Sequence, residues 1–137
     1  MLNILIAGGI SAILSMGLGM FWYGKSGFGP LWMKLTGISM DDMKSTHNGM
    51  TPLVGMLLGF LSTFVKACIL AWLFVLLAPF TIFEAFGYAL LFWLGFQATI
   101  DIGAVLWAMK SWKLFYLNTG YNLIVTLLMA LVAFYII

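Results

Sequence analysis

Charge is scarce in this chain. Of its 137 residues, 7% are Asp, Glu, Lys or Arg, against 64% hydrophobic. A soluble domain of that length needs more polar surface to cover its core, so a soluble globular fold is excluded. Arginine is absent, and a net charge of +2, divided between six lysines and four carboxylates, excludes a nucleic-acid surface. The single cysteine, Cys68, excludes a disulfide within the chain, and its place in an apolar segment assigns it to packing. One histidine completes the shortage, and Glu84 falls on the opposite side of the membrane from His47. Neither a nucleophile–base pair nor a phosphate-binding glycine loop can be assembled, so the sequence predicts no enzyme and no cofactor.

What the chain has instead is long apolar runs. Four can be drawn, at 2–23, 52–78, 82–109 and 114–137, each long enough to cross the ~30 Å hydrocarbon core as a helix. The expected fold is all-α: one polytopic domain over 1–137, a four-helix transmembrane bundle whose solvent is the lipid bilayer. "MLNILIAGGISAIL" has no basic residue ahead of its apolar stretch, so the first segment is expected to be a retained helix. Lys25, Lys34 and Lys44 lie between helices 1 and 2, and Lys110 and Lys113 between helices 3 and 4. In a serpentine of four helices these loops share one side. The positive-inside rule makes 24–51 and 109–114 cytoplasmic and puts both termini outside, across a cell inner (cytoplasmic) membrane. Trp22, Tyr23, Trp107 and Trp112 sit where interfacial anchors belong. Thr51 before Pro52 reads as an N-cap, Pro79 as a stop, and Thr81 with Glu84 as the next cap.

The loop 24–51 is too apolar for a flexible linker. "GPLWMKLTG" reads as a short interfacial helical turn, and "SMDDMKSTHNGM" offers Ser39 as N-cap with Asp42 as its capping-box partner. On that helix Met40, Met43, His47 and Met50 would share one face. Thioether and imidazole suit copper(I), but the plainer expectation is the apolar side of a helix lying on the membrane, with no metal.

Ionisable residues inside a membrane are costly and face the bundle interior or water. Lys66 lies roughly 21 Å along its helix from Pro52, and Asp101 about 12 Å from the same side of the membrane. Both lean toward each other, and a direct or water-bridged Lys66–Asp101 pair is expected. Gln97 and Asp101 stand at i and i+4 on helix 3, and Asn118 and Asn122 do the same on helix 4, so the four would share the cytoplasmic half with Lys66. Gly55, Gly59, Ser62 and Lys66 form one stripe of helix 2, and Gly55-x-x-x-Gly59 reads as a close-packing motif. Ser11, Ser15 and Gly19 give helix 1 a matching ridge. The polar cluster can be read as glue between helices or as a cavity for a solute or proton.

Three stretches carry a family resemblance: "GMFWYGKSGFGPLWMKLTGIS" at the end of helix 1, "FWLGFQAT" in helix 3 and "KLFYLNTGYNL" opening helix 4. With them the chain resembles the bacterial small-membrane-protein family catalogued as domain of unknown function 1761. The resemblance implies a four-helix bacterial membrane protein and carries no activity with it. Such proteins more typically hold neutral polar residues near the place of Asp101, which makes the Lys66–Asp101 pair a property of this chain. The expected function is association between helices, as a homo-oligomer or as a subunit with a membrane-protein partner. The alternative is a minimal oligomeric transporter or channel using the polar cluster.

Overall fold

The computed structural model describes residues 1–46 and 48–137. Its four long apolar segments are helical: α1 (Leu2–Trp22), α4 (Pro52–Leu77), a third run from Ile82 to Leu106, and α7 (Trp112–Ile136). The third is composite. It begins as α5 (Ile82–Phe92), passes through a π-helical segment (Trp93–Ala98), and ends as α6 (Thr99–Leu106). Between α1 and α4 lie two short helices, α2 (Gly29–Thr36) and α3 (Met40–Lys44). All four long segments are long and apolar enough to cross a membrane, which makes this a polytopic, all-helical membrane protein.

Local chemistry sets the helix ends. Thr51 accepts from the Val54 N–H ahead of Pro52, Ser111 accepts from Leu114 N–H, and Thr81 accepts from Glu84 N–H. The Glu84 carboxylate reaches back to Phe80 N–H. The three hydroxyl caps each satisfy a donor that the first helical turn leaves free. Ser111 as the cap starts α7 at Trp112, two residues before the expected Leu114. The preceding helix stops at Leu106 rather than Met109, because Met109 takes a left-handed φ of 52° and Lys110 N–H turns back to Ala104 C=O. Ser39 and Asp42 make the full capping box on α3.

The helices form a fan around α7, which packs against α1, α2, α4, α5, the π segment and α6. The tightest partner of α1 is α4, whereas α4 and α5, consecutive in sequence, barely touch each other. Asn3 Nδ2 donates to Ile136 C=O (3.1 Å), so both termini sit at one end. At the other end the Tyr23 hydroxyl donates to Asn118 Oδ1 (2.8 Å), joining the end of α1 to the first turns of α7.

Contacts between helices are built on small residues. Ala7 and Ala12 on α1, Ala67 and Ala71 on α4, Ala85 and Ala89 on α5, and Ala130 and Ala133 on α7 are all buried. Lipid tails are as apolar as leucine, so close backbone approach and dispersion replace water exclusion as the cohesive force. Phe74 and Met129 fill the space between them. Ser11 and Ser15 are buried on α1, and Gly19 lies directly under the Tyr121 hydroxyl.

The Gly55–Gly59 expectation is corrected here. Both glycines are exposed, and a Cβ added at either would meet nothing within 4 Å. The contact face of α4 runs instead through Ala67, Ala71 and Phe74, about 100° around the helix from the stripe that holds Lys66. The close approach to α1 falls at Gly8, whose missing Cβ makes room for Cys68 Sγ and Phe64. That contact anchors the far half of α4, and its first turns stand clear of the bundle.

Candidate functional site

The site is assembled on the lysine-loop half of α7. Thr119 and Thr126 are buried there, with Asn118 and Asn122 beside them. Asn118, Asn122 and Thr126 are spaced one turn apart and Thr119 is adjacent to the first, so the four present a polar stripe to the neighbouring helices. Thr126 Oγ1 donates to its own helix at Asn122 C=O (2.7 Å) and accepts from Lys66 Nζ (3.0 Å). Thr119 Oγ1 donates to Asp101 Oδ2 (3.1 Å), while Gln97 Nε2 donates to Asp101 Oδ1 (3.0 Å).

The direct Lys66–Asp101 pair is therefore not formed. Each charge is held by neutral partners, the ammonium by a hydroxyl and the carboxylate by a hydroxyl and an amide. Asp101 remains within electrostatic reach of Lys66. The reason is the fan: α4 and the third transmembrane run both pack on α7 rather than on each other, so α7 supplies the bonding groups to both.

Two open spaces meet this polar network. A groove of about 510 Å³ runs between α4 and the α5–π run, floored by α7. Lys66, Gln97 and Thr126 form its polar end, and Ile69, Leu73, Phe92 and Phe96 line the rest. A second groove, about 680 Å³, opens toward the lysine loops and reaches Asp101, Asn118 and Asn122. Gln97 faces the first groove and bonds to Asp101 in the second, so one amide bridges the two spaces.

The five expected polar residues thus converge, with Lys66 in one groove and Asp101, Asn118 and Asn122 in the other. Four participants were missed: Thr119, Thr126, Trp93 and Tyr23. The threonines could have been found, since Thr126 extends the Asn118/Asn122 periodicity by one turn and Thr119 directly follows Asn118. The π segment had no comparable signal. Trp93 and Gln97 lie within it, and Trp93 Nε1 donates to Thr119 C=O (3.0 Å). An i→i+5 segment of this kind is rare and recurs at functional sites, because it re-aims side chains within one helix. Tyr23 closes α1 just past the membrane span. Burial above all, then the proximity of Tyr121 and Asp101, raises its phenol well above the ordinary range, so it serves as a neutral donor to Asn118.

The methionine face is also corrected. Helix α3 ends at Lys44 with Ser45 extended, so Met50 is not on it, and His47 lies outside the described residues. Met40 and Met43 line the loop-side groove. Among the described residues no cluster of three or more His, Cys, Asp or Glu could hold a metal.

A family model for proteins of unknown function, DUF1761, matches residues 6–134. The chain belongs to this family. No curated protein and no solved structure matches it. The three motifs of this DUF1761 chain bear on the site directly: the first ends α1 at Tyr23, the second is the π segment with Gln97, and the third carries Asn118, Thr119 and Asn122.

Proposed function

We propose that this membrane protein is a minimal carrier that holds a solute or proton at the polar site in the lysine-loop half of its bundle. One observation carries the reading: Lys66 and Asp101 are each hydrogen-bonded to neutral groups rather than to each other, and each lines open space. A self-satisfied ion pair would need no substrate. A charge kept in the membrane with only neutral hydrogen-bond partners calls for a functional reason, because burying it is costly. The lysine loops 24–51 and 109–114 face the cytoplasm of a cell's inner membrane in this reading, with both termini outside, on the strength of five lysines gathered at one end. Purified protein in liposomes, loaded with a pH dye and given a proton gradient, tests it. Lys66→Met and Asp101→Asn are each expected to bring flux down to that of protein-free vesicles. Flux unchanged in both variants would sink the reading.

A second reading, association with further copies or with another membrane protein, is favoured by a different observation. Only 6% of the third transmembrane window is buried within the protomer, and Gly55 is exposed, with nothing within 4 Å of an added Cβ. Small exposed residues in an apolar helix permit close approach of a second helix. In a Cys68→Ala background, Gly55→Cys should form disulfide-linked dimers in membranes and Leu57→Cys, on the opposite face, should not. Equal cross-linking from both positions would remove the support for this face.

A further inference from the structure

The α4–α5 groove has a chemistry of its own, which the carrier reading leaves undefined. Its polar end is a single ammonium, Lys66 Nζ, which donates one hydrogen bond to Thr126 and has two further N–H donors available to the groove. From there the lining turns apolar through Leu73 on one wall and Phe92 and Phe96 on the other. Leu73 is roughly 10 Å further along α4 from Lys66, so the apolar wall runs in one direction away from the charge. The volume, about 510 Å³, is within the ~300–1,000 Å³ typical of small-ligand sites. Because α4 and α5 barely touch, the groove opens sideways between them, toward lipid.

We infer that this groove binds a long-chain carboxylic acid, the carboxylate against Lys66 and the chain along Leu73, Phe92 and Phe96. The inference rests on the carrier reading and names its substrate class. Three features select that occupant. One cation at one end of an apolar trough matches an amphiphile with one negative charge. A planar carboxylate accepts the two free N–H groups of Lys66, and an ammonium–carboxylate contact is charge-assisted. The lateral opening faces hydrocarbon, which a carboxylic acid can cross in its neutral, protonated form, whereas a phosphodiester stays ionised and would carry its charge through lipid.

Trp93 lines the same groove and is a built-in reporter. The experiment measures tryptophan quenching by 9,10-dibromostearic acid in liposomes of unbrominated phosphatidylcholine that contain the whole protein. The expected result is saturable quenching that largely disappears in Trp93→Phe. Lys66→Met should weaken binding about tenfold to a hundredfold, the loss of one charge-assisted bond. Lys66→Arg should retain binding, and the dibrominated methyl ester should quench only as a bulk lipid does. Phe96 is 68% exposed, so Phe96→Ala leaves the fold intact. It should weaken binding severalfold by shortening the apolar wall. Undiminished saturable quenching in Lys66→Met, or an ester equal to the acid, overturns the inference. So does brominated phosphatidylglycerol that saturates with the same Lys66 dependence, which would make a phospholipid headgroup the occupant. If acid binding is absent while Lys66→Met and Asp101→Asn still abolish proton flux, the substrate class falls and the carrier reading stands. Acid binding without any flux would do the reverse.

Discussion

Gly8→Ala is a one-carbon change whose cost can be worked from the geometry. Gly8 is buried where α1 crosses α4, and an added Cβ would collide with Cys68 Sγ and press on Phe64 Cε2 at 3.2 Å. Alanine is the better helix former by about 1 kcal/mol, which favours the variant. Overpacking a tight contact costs about 1–3 kcal/mol, and in lipid the whole α1–α4 seam depends on that close approach. Sterics should win, leaving Gly8→Ala destabilised by about 1–2 kcal/mol. Gly9 is the control: one residue on, its added Cβ meets nothing within 4 Å, so Gly9→Ala should be neutral or stabilising. Unfolding in mixed micelles by SDS titration, followed by far-UV circular dichroism, gives the three stabilities. Cys68→Ala removes the colliding sulfur, so most of the Gly8→Ala cost should vanish in that background, a coupling of about 1 kcal/mol. A Gly8→Ala variant as stable as the native protein, or one equally destabilised with and without the sulfur, would refute the assigned contact.

Other substitutions probe separate features. Ser15 Oγ is buried with no hydrogen-bond partner among the described residues, so Ser15→Ala should leave stability unchanged or raise it by about 1 kcal/mol in the same titration. Gly55→Leu and Gly59→Leu should leave the protomer's unfolding within about 0.5 kcal/mol of native, since neither residue touches another helix. Tyr23→Phe removes the bond to Asn118 and should cost about 1 kcal/mol at neutral pH. Because the Tyr23 phenol is raised in the folded protein, the unfolded chain ionises first, near the ordinary value of 10.0. Its contribution is complete below that pH and is lost as pH rises above it. The alkaline fall in stability should therefore be smaller in Tyr23→Phe, as stability measured from pH 8 to 11 would show.

How far the site was legible varies by residue. Asp101, Gln97, Asn118 and Asn122 stand out because polar groups in apolar runs are few, and i, i+4 spacing puts each pair on one face. Lys66 stands out for the same reason, but its partner does not. Leaning directions and axial depths bring two helices' residues to one level without saying which third helix comes between them. Gly55-x-x-x-Gly59 is the louder motif on α4, yet Ala67 and Ala71 make the contact, because the choice between faces about 100° apart depends on what packs opposite.

Composition and periodicity alone determined that the chain has four runs able to cross the membrane, that Thr51 and Thr81 cap two of them, and that the lysine loops share one end. Those properties belong to single segments: hydrocarbon thickness sets the length of an apolar run, and a serine or threonine side chain reaches its own helix's free N–H groups. Tertiary structure decided the rest. Placing α7 at the centre gave Lys66 to Thr126 and Asp101 to Thr119 and Gln97. It also kept α4 and α5 apart, leaving a groove with an ammonium at its end. Which groups meet depends on helix rotation and on the order of neighbours around the bundle, and no single helix encodes either.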